Sequence, residues 1–230
     1  MPTPARRVLL TVDGVLHDSD LPVQAFARHV TDMLPAGRVR PVIAGMRGFL
    51  EGKAELLPPD VDLSAAEDGE QAVEILARAA GLSSAQIESA RLAGRGDLVA
   101  SSWAVDEPDG LAELLAELSG RAEVGVLAEP GDPAAAAVLD ALEIEVDAIV
   151  DRIDSAQNPA LVLVIGTRWA GPLDLVQPAS CATALVDRFG RGRGSPTYRV
   201  TGVPGLLDPD RRWLDQAPTQ EGTTDDDTAR

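Results

Sequence analysis

Short apolar runs, each too short for a helix, recur through the chain and limit what it can fold into. Runs rich in valine, leucine and isoleucine that stop at a turn residue are typical of buried strands. They are Val8–Val12, Val124–Ala128, Val146–Val150, Leu161–Ile165 and a final run, Thr183–Val186. Three predicted helical segments lie between these runs, at Asp109–Leu118, Asp132–Leu142 and Pro172–Ala179. This alternation predicts an α/β fold, a parallel sheet with helices on both faces.

The segment between the first two strands is mainly helical. Helices are predicted there at Leu21–Leu34, Ile43–Leu50, Ser64–Ala80 and Ser84–Ala93. Ser64, followed three residues later by Glu67, fits a capping box at the start of the third helix. We therefore expect an α/β core of residues 1–17 and 106–215, a helical insert of residues 18–105, and a polar, acidic, disordered tail of residues 216–230.

Charge excludes one class of partner. The chain of 230 residues carries a formal net charge of −17, so it lacks the basic footprint of a nucleic-acid binder. A local basic cluster, Arg188, Arg191 and Arg193, is interpreted as a solvated loop. There is no apolar run long enough to cross a membrane and no signal-like leader, so a cytoplasmic protein is expected.

Cysteine and histidine usage limits the metal chemistry. Cys181 is the single cysteine, which excludes an intramolecular disulfide and any site built from several thiolates. It is predicted to be a small core residue. His17 and His29 are the only histidines, too few for a multi-histidine zinc site.

The first predicted strand runs into the phrase Leu9-Leu10-Thr11-Val12-Asp13-Gly14-Val15-Leu16. It resembles the first motif, D-x-D-G-[TV]-L, of the haloacid dehalogenase (HAD-like) hydrolase superfamily. With the helical insert and the later βα units, the resemblance covers roughly residues 6–210. It implies a Rossmann-like parallel sheet flanked by helices, with the insert as a small helical cap over the carboxyl ends of the strands, where ligands bind.

The resemblance assigns roles to the two aspartate positions of that motif. The family's nucleophilic aspartate falls on Thr11, whose hydroxyl is a poor nucleophile unless a base removes its proton. The family's general acid/base aspartate is retained as Asp13. An Asp before Gly at a strand end can equally close a turn, so a purely structural role for Asp13 stays open.

The other three motifs of the family are replaced. The phosphate-binding hydroxyl falls on Ala128, and the cationic motif falls on Asp154–Pro159, where Gln157 stands and no cation occurs. The acids that bind Mg²⁺ should follow Gly166, but Thr167 and Pro172 occupy their positions. Asp13 and a shifted Asp174 are then the remaining candidate metal ligands.

Two residues after Gly166 stand out as candidate binding residues. Arg168 brings positive charge to the place where the family holds a metal. Trp169 either fills the former phosphate site or stacks on a ligand.

These replacements predict a catalytically impaired, phosphatase-like protein that acts by binding an unknown small molecule or protein partner. No cofactor is expected, and Mg²⁺ only if the protein is active. One alternative is an active phosphatase or other hydrolase of a small phosphorylated metabolite, using Asp13 with a non-standard nucleophile. A second alternative is a homodimeric scaffold that uses the helical insert as its interface.

Overall fold

The computed structural model describes residues 6–17, 20–100, 105–128, 134–153, 158–169, 173 and 181–216. Its strands are β1 (Arg7–Thr11), β2 (Glu123–Leu127), β3 (Ala148–Val150), β4 (Val162–Gly166), β5 (Ala182–Val186) and β6 (Tyr198–Val200). Its α-helices are α1 (Asp20–Asp32), α2 (Ala36–Leu50), α3 (Gly69–Ala79), α4 (Ser84–Ala100), α5 (Leu111–Leu118), α6 (Ala134–Ala141) and α7 (Leu207–Asp215). Short 3₁₀ turns lie at Ala54–Leu56, Pro159–Leu161 and Val203–Leu206.

The strands form one six-stranded sheet in the order β3-β2-β1-β4-β5-β6, and every neighbouring pair is parallel. The predicted α/β fold with a parallel sheet is confirmed. β1 lies at the centre, with Thr11 paired to Leu127 of β2 and Leu10 paired to Ile165 of β4. The carboxyl ends of β1, β2 and β4 are therefore level, and the residues that follow them share one edge of the sheet.

Side chains alternate between the two faces of the sheet because the strands are pleated. On one face, Val8 and Leu10 belong to a core cluster with residues of α5, α6 and α7. On the other face, Leu9 packs in a cluster with Trp169, Leu173 and Cys181. Of the helix predicted at Pro172–Ala179, all residues except Leu173 lie outside the described residues.

The four helices α1–α4, here called the insert helices, have a hydrophobic cluster of their own. Phe26 of α1, Met46 and Phe49 of α2, and Leu76 of α3 are its large members. The assignment of this region as a separate cap, with boundaries at residues 18 and 105, stays a prediction. No helix within the described residues is both long and apolar enough to cross a membrane.

The structure corrects several predicted elements. β5 is not the last strand, because β6 follows it. β6 has three residues with a half-buried, exposed, half-buried pattern, too short to give a periodic signal. α7 was not predicted either, since five of its nine residues are charged and hide its buried face, which includes Trp213.

The insert helices also differ from their predicted limits. The capping box predicted at Ser64 and Glu67 is wrong: α3 begins at Gly69, and the side chain of Asp68 accepts the cap hydrogen bond from the backbone N–H of Gln71 at 2.8 Å. The residue that caps the helix is therefore Asp68 and not the predicted Ser64. α4 continues seven residues beyond the predicted Ala93, to Ala100.

The basic loop after β5 is exposed at Arg188, Arg191 and Arg193, as the interpretation of a solvated loop predicts. It also contacts the insert region. Arg188 makes a two-pronged ion pair with Asp20 of α1, at 2.9 and 3.0 Å. Arg191 donates to the carbonyl of Leu63 at 3.1 Å. These contacts were not predicted, because the partners lie more than 100 positions away and leave no local sequence signal.

Candidate functional site at the carboxyl edge of the sheet

The turn after β1 places Asp13 at the edge of the sheet. Gly14 has a φ of 72°, a left-handed conformation that glycine adopts without steric cost. Its N–H donates to the carbonyl of His17 at 3.1 Å, and the N–H of Leu16 donates to the carbonyl of Val12 at the same distance. The chain thus folds back on itself within five residues, so the side chains of Asp13 and His17 lie together.

Asp13 and His17 form a hydrogen-bonded pair. The Nε2 atom of the buried His17 lies 3.2 Å from Oδ1 of Asp13. Burial alone would raise the pKa of Asp13, but the hydrogen bond from His17 and the positive charges of Arg95 and Arg168 outweigh it and hold this pKa below its usual value. Asp13 is therefore an anion at neutral pH, and as such a weak base and a poor proton donor.

Threonines occupy the neighbouring strand ends. Thr11 is buried, and its hydroxyl has no hydrogen-bond partner among the described residues. A Cβ atom on Gly166 would lie 3.1 Å from Cγ2 of Thr11, so a side chain at Gly166 would crowd it. The Oγ1 atom of Thr167 donates to the main-chain carbonyl of Asp13 at 3.2 Å, which ties the ends of β1 and β4 together.

Arg168 reaches from the end of β4 into a group of acids on the insert helices. We call Glu67, Asp68 and Glu70 the insert carboxylates. The Nε atom of Arg168 lies 3.1 Å from Oδ2 of Asp68, and its Nη1 atom lies 3.9 Å from Oε2 of Glu70. Arg91 of α4 approaches the same Glu70 oxygen to 3.8 Å. The strand end is therefore filled by an ion-pair network that joins the sheet to α3 and α4.

Burial and crowding of like charges shift the pKa values of Asp68 and Glu70. Burial raises the pKa of Glu70 to about 7; the charge of Asp13 adds to this effect, and Arg168 and Arg95 oppose it. Burial also raises the pKa of Asp68, against the attraction of Arg168. At neutral pH the network therefore holds a protonatable carboxyl, Glu70, beside the permanently charged Asp13.

Trp169 is fixed from two sides. Its backbone N–H donates to Oε2 of Glu67 at 3.0 Å, and its side chain is 9% exposed. The indole lies directly on Gly194, where a Cβ atom would come within 2.0 Å of the ring atom Cδ2. The indole thus fills space between β4 and the loop before β6, where it packs against protein.

The remaining predicted site residues are not part of this network. Ala128 follows β2, and its backbone N–H donates to the carbonyl of Val150 at 3.0 Å. Two cations outside the network have acidic neighbours of their own: Lys53 pairs with Glu51 at 2.6 Å, and Arg152 lies 4.0 Å from Asp151. The predicted positions Gln157, Pro172 and Asp174 lie outside the described residues.

The described residues do not fit a magnesium site. Mg²⁺ prefers several carboxylate oxygens in near-octahedral geometry. The strand ends supply a single carboxylate, Asp13, beside the hydroxyls of Thr11 and Thr167, and within the described ranges no three His, Cys, Asp or Glu side chains are placed to share a metal ion. Arg168 adds a fixed positive charge at the same place, which disfavours a second cation.

Four members of the network were not predicted as site residues. They are His17, Asp68, Glu70 and Arg91. His17 carries a local signal, since it lies four residues after Asp13, directly behind the first motif. The run Glu67-Asp68-Gly69-Glu70 carries another signal, three acids in four residues, but the prediction placed it inside a helix that begins at Ser64.

No family model and no curated protein sequence matches the chain. Solved structures match it closely in fold. YfnB of Bacillus subtilis, assigned as a HAD-hydrolase and bound to magnesium, has a TM-score of 0.56 at 14% identity and covers 90% of this chain and 99% of its own. A haloacid dehalogenase-like hydrolase of Streptococcus pneumoniae has a TM-score of 0.55 at 16% identity, covering 90% and 98%. CbbY of Rhodobacter sphaeroides, in complex with phosphate, has a TM-score of 0.50 at 15% identity and covers 88% of this chain and 96% of its own. The chain has the HAD-like fold, as the phrase around Asp13 predicts.

Proposed function

We propose that this protein is a member of the HAD-like hydrolases that has lost phosphoryl-transfer chemistry and acts by binding a small molecule or protein partner. The observation that carries the proposal is the position of Arg168. Its guanidinium lies 3.1 Å from Asp68 and 3.9 Å from Glu70, at the strand end where the family's hydrolases hold their metal. An internal ion-pair network thus stands in place of the metal and the transferred phosphoryl group.

The charge of the network argues against a phosphate ligand. Phosphoryl transfer depends on positive charge aimed at the transferred group. Here the positive charge of Arg168 is already balanced by Asp68 and Glu70, and Asp13 adds a further anion beside it. A phosphate ester entering this edge would meet carboxylates before it met an unbalanced cation.

The nucleophile position supports the same conclusion. Thr11 needs a base to remove its hydroxyl proton. The carboxylate nearest to it in sequence is Asp13, which has a lowered pKa and is hydrogen-bonded to His17, so it is a weak base. The pair Thr11 and Asp13 therefore lacks the matched proton affinity that an activated hydroxyl requires.

Hydrolysis of an aryl phosphate tests the proposal. We expect no turnover above buffer with Mg²⁺ for the native protein, and no Mg²⁺-dependent rise in melting temperature compared with NaCl at equal ionic strength. Asp13→Asn and the exposed Asp208→Asn are assayed beside it after their folds are verified by circular dichroism. Mg²⁺-dependent turnover that disappears in Asp13→Asn and persists in Asp208→Asn would overturn the proposal.

One observation favours the active alternative, a hydrolase. A carboxyl with a pKa near the working pH is suited to general acid/base catalysis, and the pKa of Glu70 is raised to about 7 beside Asp13. If the protein is such a hydrolase, its hydrolysis rate should change with pH near neutrality, and this change should disappear in Glu70→Gln. A flat rate at the level of buffer from acid to alkaline pH rejects it.

A further inference from the structure

Phe189, in the loop between β5 and β6, packs in the hydrophobic cluster of the insert helices. Among the described residues of that cluster, it is the one member that lies outside positions 23–90. Its ring lies against the ring of the buried Phe49, with centroids 4.8 Å apart and planes tilted by 49°. A side chain from the sheet region is therefore seated in a core that the insert region otherwise builds from its own residues.

Hydrogen bonds and ion pairs join the insert helices to the sheet elsewhere. Arg168 and the backbone N–H of Trp169 both engage the insert carboxylates. The two hydrophobic clusters on the faces of the sheet include no described residue of positions 20–100. Polar contacts between two parts of a chain separate readily, because their groups exchange partners with water. Within the described part of the chain, Phe189 is thus an apolar anchor in a contact joined mainly by polar groups.

Asp187 holds the loop in the shape that presents Phe189. It directly follows β5, is 6% exposed, and its Oδ1 atom accepts the backbone N–H groups of Arg191 at 2.8 Å and Gly192 at 3.0 Å. Its Oδ2 atom accepts a hydrogen bond from Arg199 of β6 at 2.7 Å. These bonds close the start of the loop into a compact turn and tie it to two strands. The loop therefore presents Phe189 from a base that belongs to the sheet.

Two arginines of the same loop cover the aromatic pair. The guanidinium of Arg188 lies 5.3 Å from the ring centre of Phe189, and that of Arg191 lies 5.0 Å from the ring centre of Phe49. Each of them also bonds to a polar group of the insert region. A guanidinium over a ring is attracted to its face, and the arginine stem shields the ring from water. Both arginines are exposed, so their release into water leaves no charge buried.

We infer that residues 187–194 form a clasp that holds the insert helices against the carboxyl edge of the sheet, and that withdrawal of Phe189 opens the site around Thr11 and Asp13. While Phe189 is seated, Arg168 stays among the insert carboxylates. When it withdraws, the polar groups on both sides of the contact turn to water, and the insert helices separate from the sheet with their own hydrophobic cluster intact. This role does not depend on whether the site is catalytic, because it concerns access to the site.

The backbone N–H of Trp169 reports whether the contact is closed. Its hydrogen bond to Oε2 of Glu67, 3.0 Å long, crosses from the sheet to the insert region. A hydrogen-bonded amide exchanges its hydrogen with solvent when that bond opens, and a partial opening costs less free energy than global unfolding. Hydrogen exchange of the full chain, followed residue by residue by NMR, therefore measures the opening. We expect the Trp169 amide to exchange faster than the amides of β1, at the centre of the sheet.

Two truncations of the same cluster separate the clasp from the insert itself. Phe189→Ala removes the anchor and should raise the exchange rate of the Trp169 amide by about tenfold or more. Leu57→Ala is the matched control, since Leu57 is also partly buried in the cluster but belongs to the insert region. Its truncation weakens the insert equally in the closed and the opened protein, so the Trp169 amide should exchange at the native rate.

A milder variant covers the case in which Phe189→Ala does not fold. Phe189→Leu keeps an apolar side chain in the cluster, so the Trp169 amide should exchange faster than in the native protein by about two- to fivefold. An unchanged exchange rate in the Phe189 variants would overturn the inference, because the polar contacts would then hold the insert helices by themselves. A rate that rises at least as much in Leu57→Ala would also overturn it, because the contact would then open through unfolding of the insert.

Discussion

Asp210 should control much of the pH dependence of stability. It lies in α7 with no exposed surface, and neither carboxylate oxygen has a hydrogen-bond partner among the described residues. Burial, assisted by the negative charge of Glu117, raises the pKa of Asp210 to about 7. An aspartate in an unfolded chain has a pKa of about 3.9. The folded protein therefore holds a proton on Asp210 at pH values where the unfolded chain releases it.

The direction of the effect follows from this difference. Below about pH 4 the carboxyl is protonated in both states, and it imposes no charge penalty. Between about pH 4 and pH 7 only the unfolded chain loses the proton, so the free energy of unfolding falls by about 1.4 kcal/mol for each pH unit. Because the pKa of Asp210 is raised from 3.8 to about 7, its contribution lowers the free energy of unfolding by about 4 kcal/mol in all, and this loss is complete above pH 7.

The substitution Asp210→Asn isolates this contribution, because the amide has nearly the same shape but does not ionise. We expect it to leave stability nearly unchanged at about pH 4 and to raise it by about 2–4 kcal/mol at about pH 8, the lower value reflecting the desolvation of an unpartnered amide. Urea unfolding with its slope fitted separately at each pH measures the difference.

The exposed Asp208→Asn, in the same turn of α7, is the control and should follow the native curve. Glu70 also has a raised pKa and contributes a slope of the same sign, so the informative quantity is the native-minus-variant difference at each pH. A difference that stays constant from pH 4 to pH 8 would refute the argument, since a constant offset reports packing and not ionisation.

Three further substitutions test other parts of the structure. Gly194→Ala should lower the free energy of unfolding by more than about 2 kcal/mol, because the new Cβ would overlap Trp169 and the backbone there has a φ of 82°. Gly190→Ala is the control: its φ is 64° but its Cβ would lie in open space, so it should lower the free energy of unfolding by about 1 kcal/mol. Urea unfolding compares the two variants. Glu143→Gly should stabilise by about 1 kcal/mol in the same assay, since Glu143 has a φ of 54° and glycine adopts this conformation without strain. Arg168→Gln should destabilise by about 3 kcal/mol at pH 8 and by less at pH 5, where Glu70, whose pKa is raised to about 7, is protonated. Equal losses at both pH values would contradict the ion-pair network.

The sheet could be predicted because its signals are local. Each apolar run ends at a glycine or a polar turn, and the run before Asp13-Gly14 carries the motif that resembles the HAD-like fold. Parallel strands buried on both faces must be apolar along their length, so a short run reveals them without long-range information. β6 was not predicted, because its three partly exposed residues at the edge of the sheet do not form such a run.

The network at the candidate site could be predicted only in part, because its pairs are distant in sequence. Arg168 was singled out from its place after Gly166, but its partners Asp68 and Glu70 lie about a hundred positions earlier. Nothing in a single sequence states which acid of the insert helices faces a given strand end. The pair Asp13 and His17 is the exception, since a turn of five residues brings them together.

Arg168 supplies positive charge among the carboxylates at this edge of the sheet. Asp13, Asp68 and Glu70 are crowded together, and three carboxylates this close repel one another unless a cation lies among them. A divalent metal can be that cation, and it also offers open coordination positions to a substrate or a water molecule. The guanidinium of Arg168 carries a single positive charge, is tethered to the end of β4 and has no coordination position to offer. On the function proposed above, the guanidinium that joins the insert helices to the sheet takes the place of the metal on which phosphoryl transfer would depend.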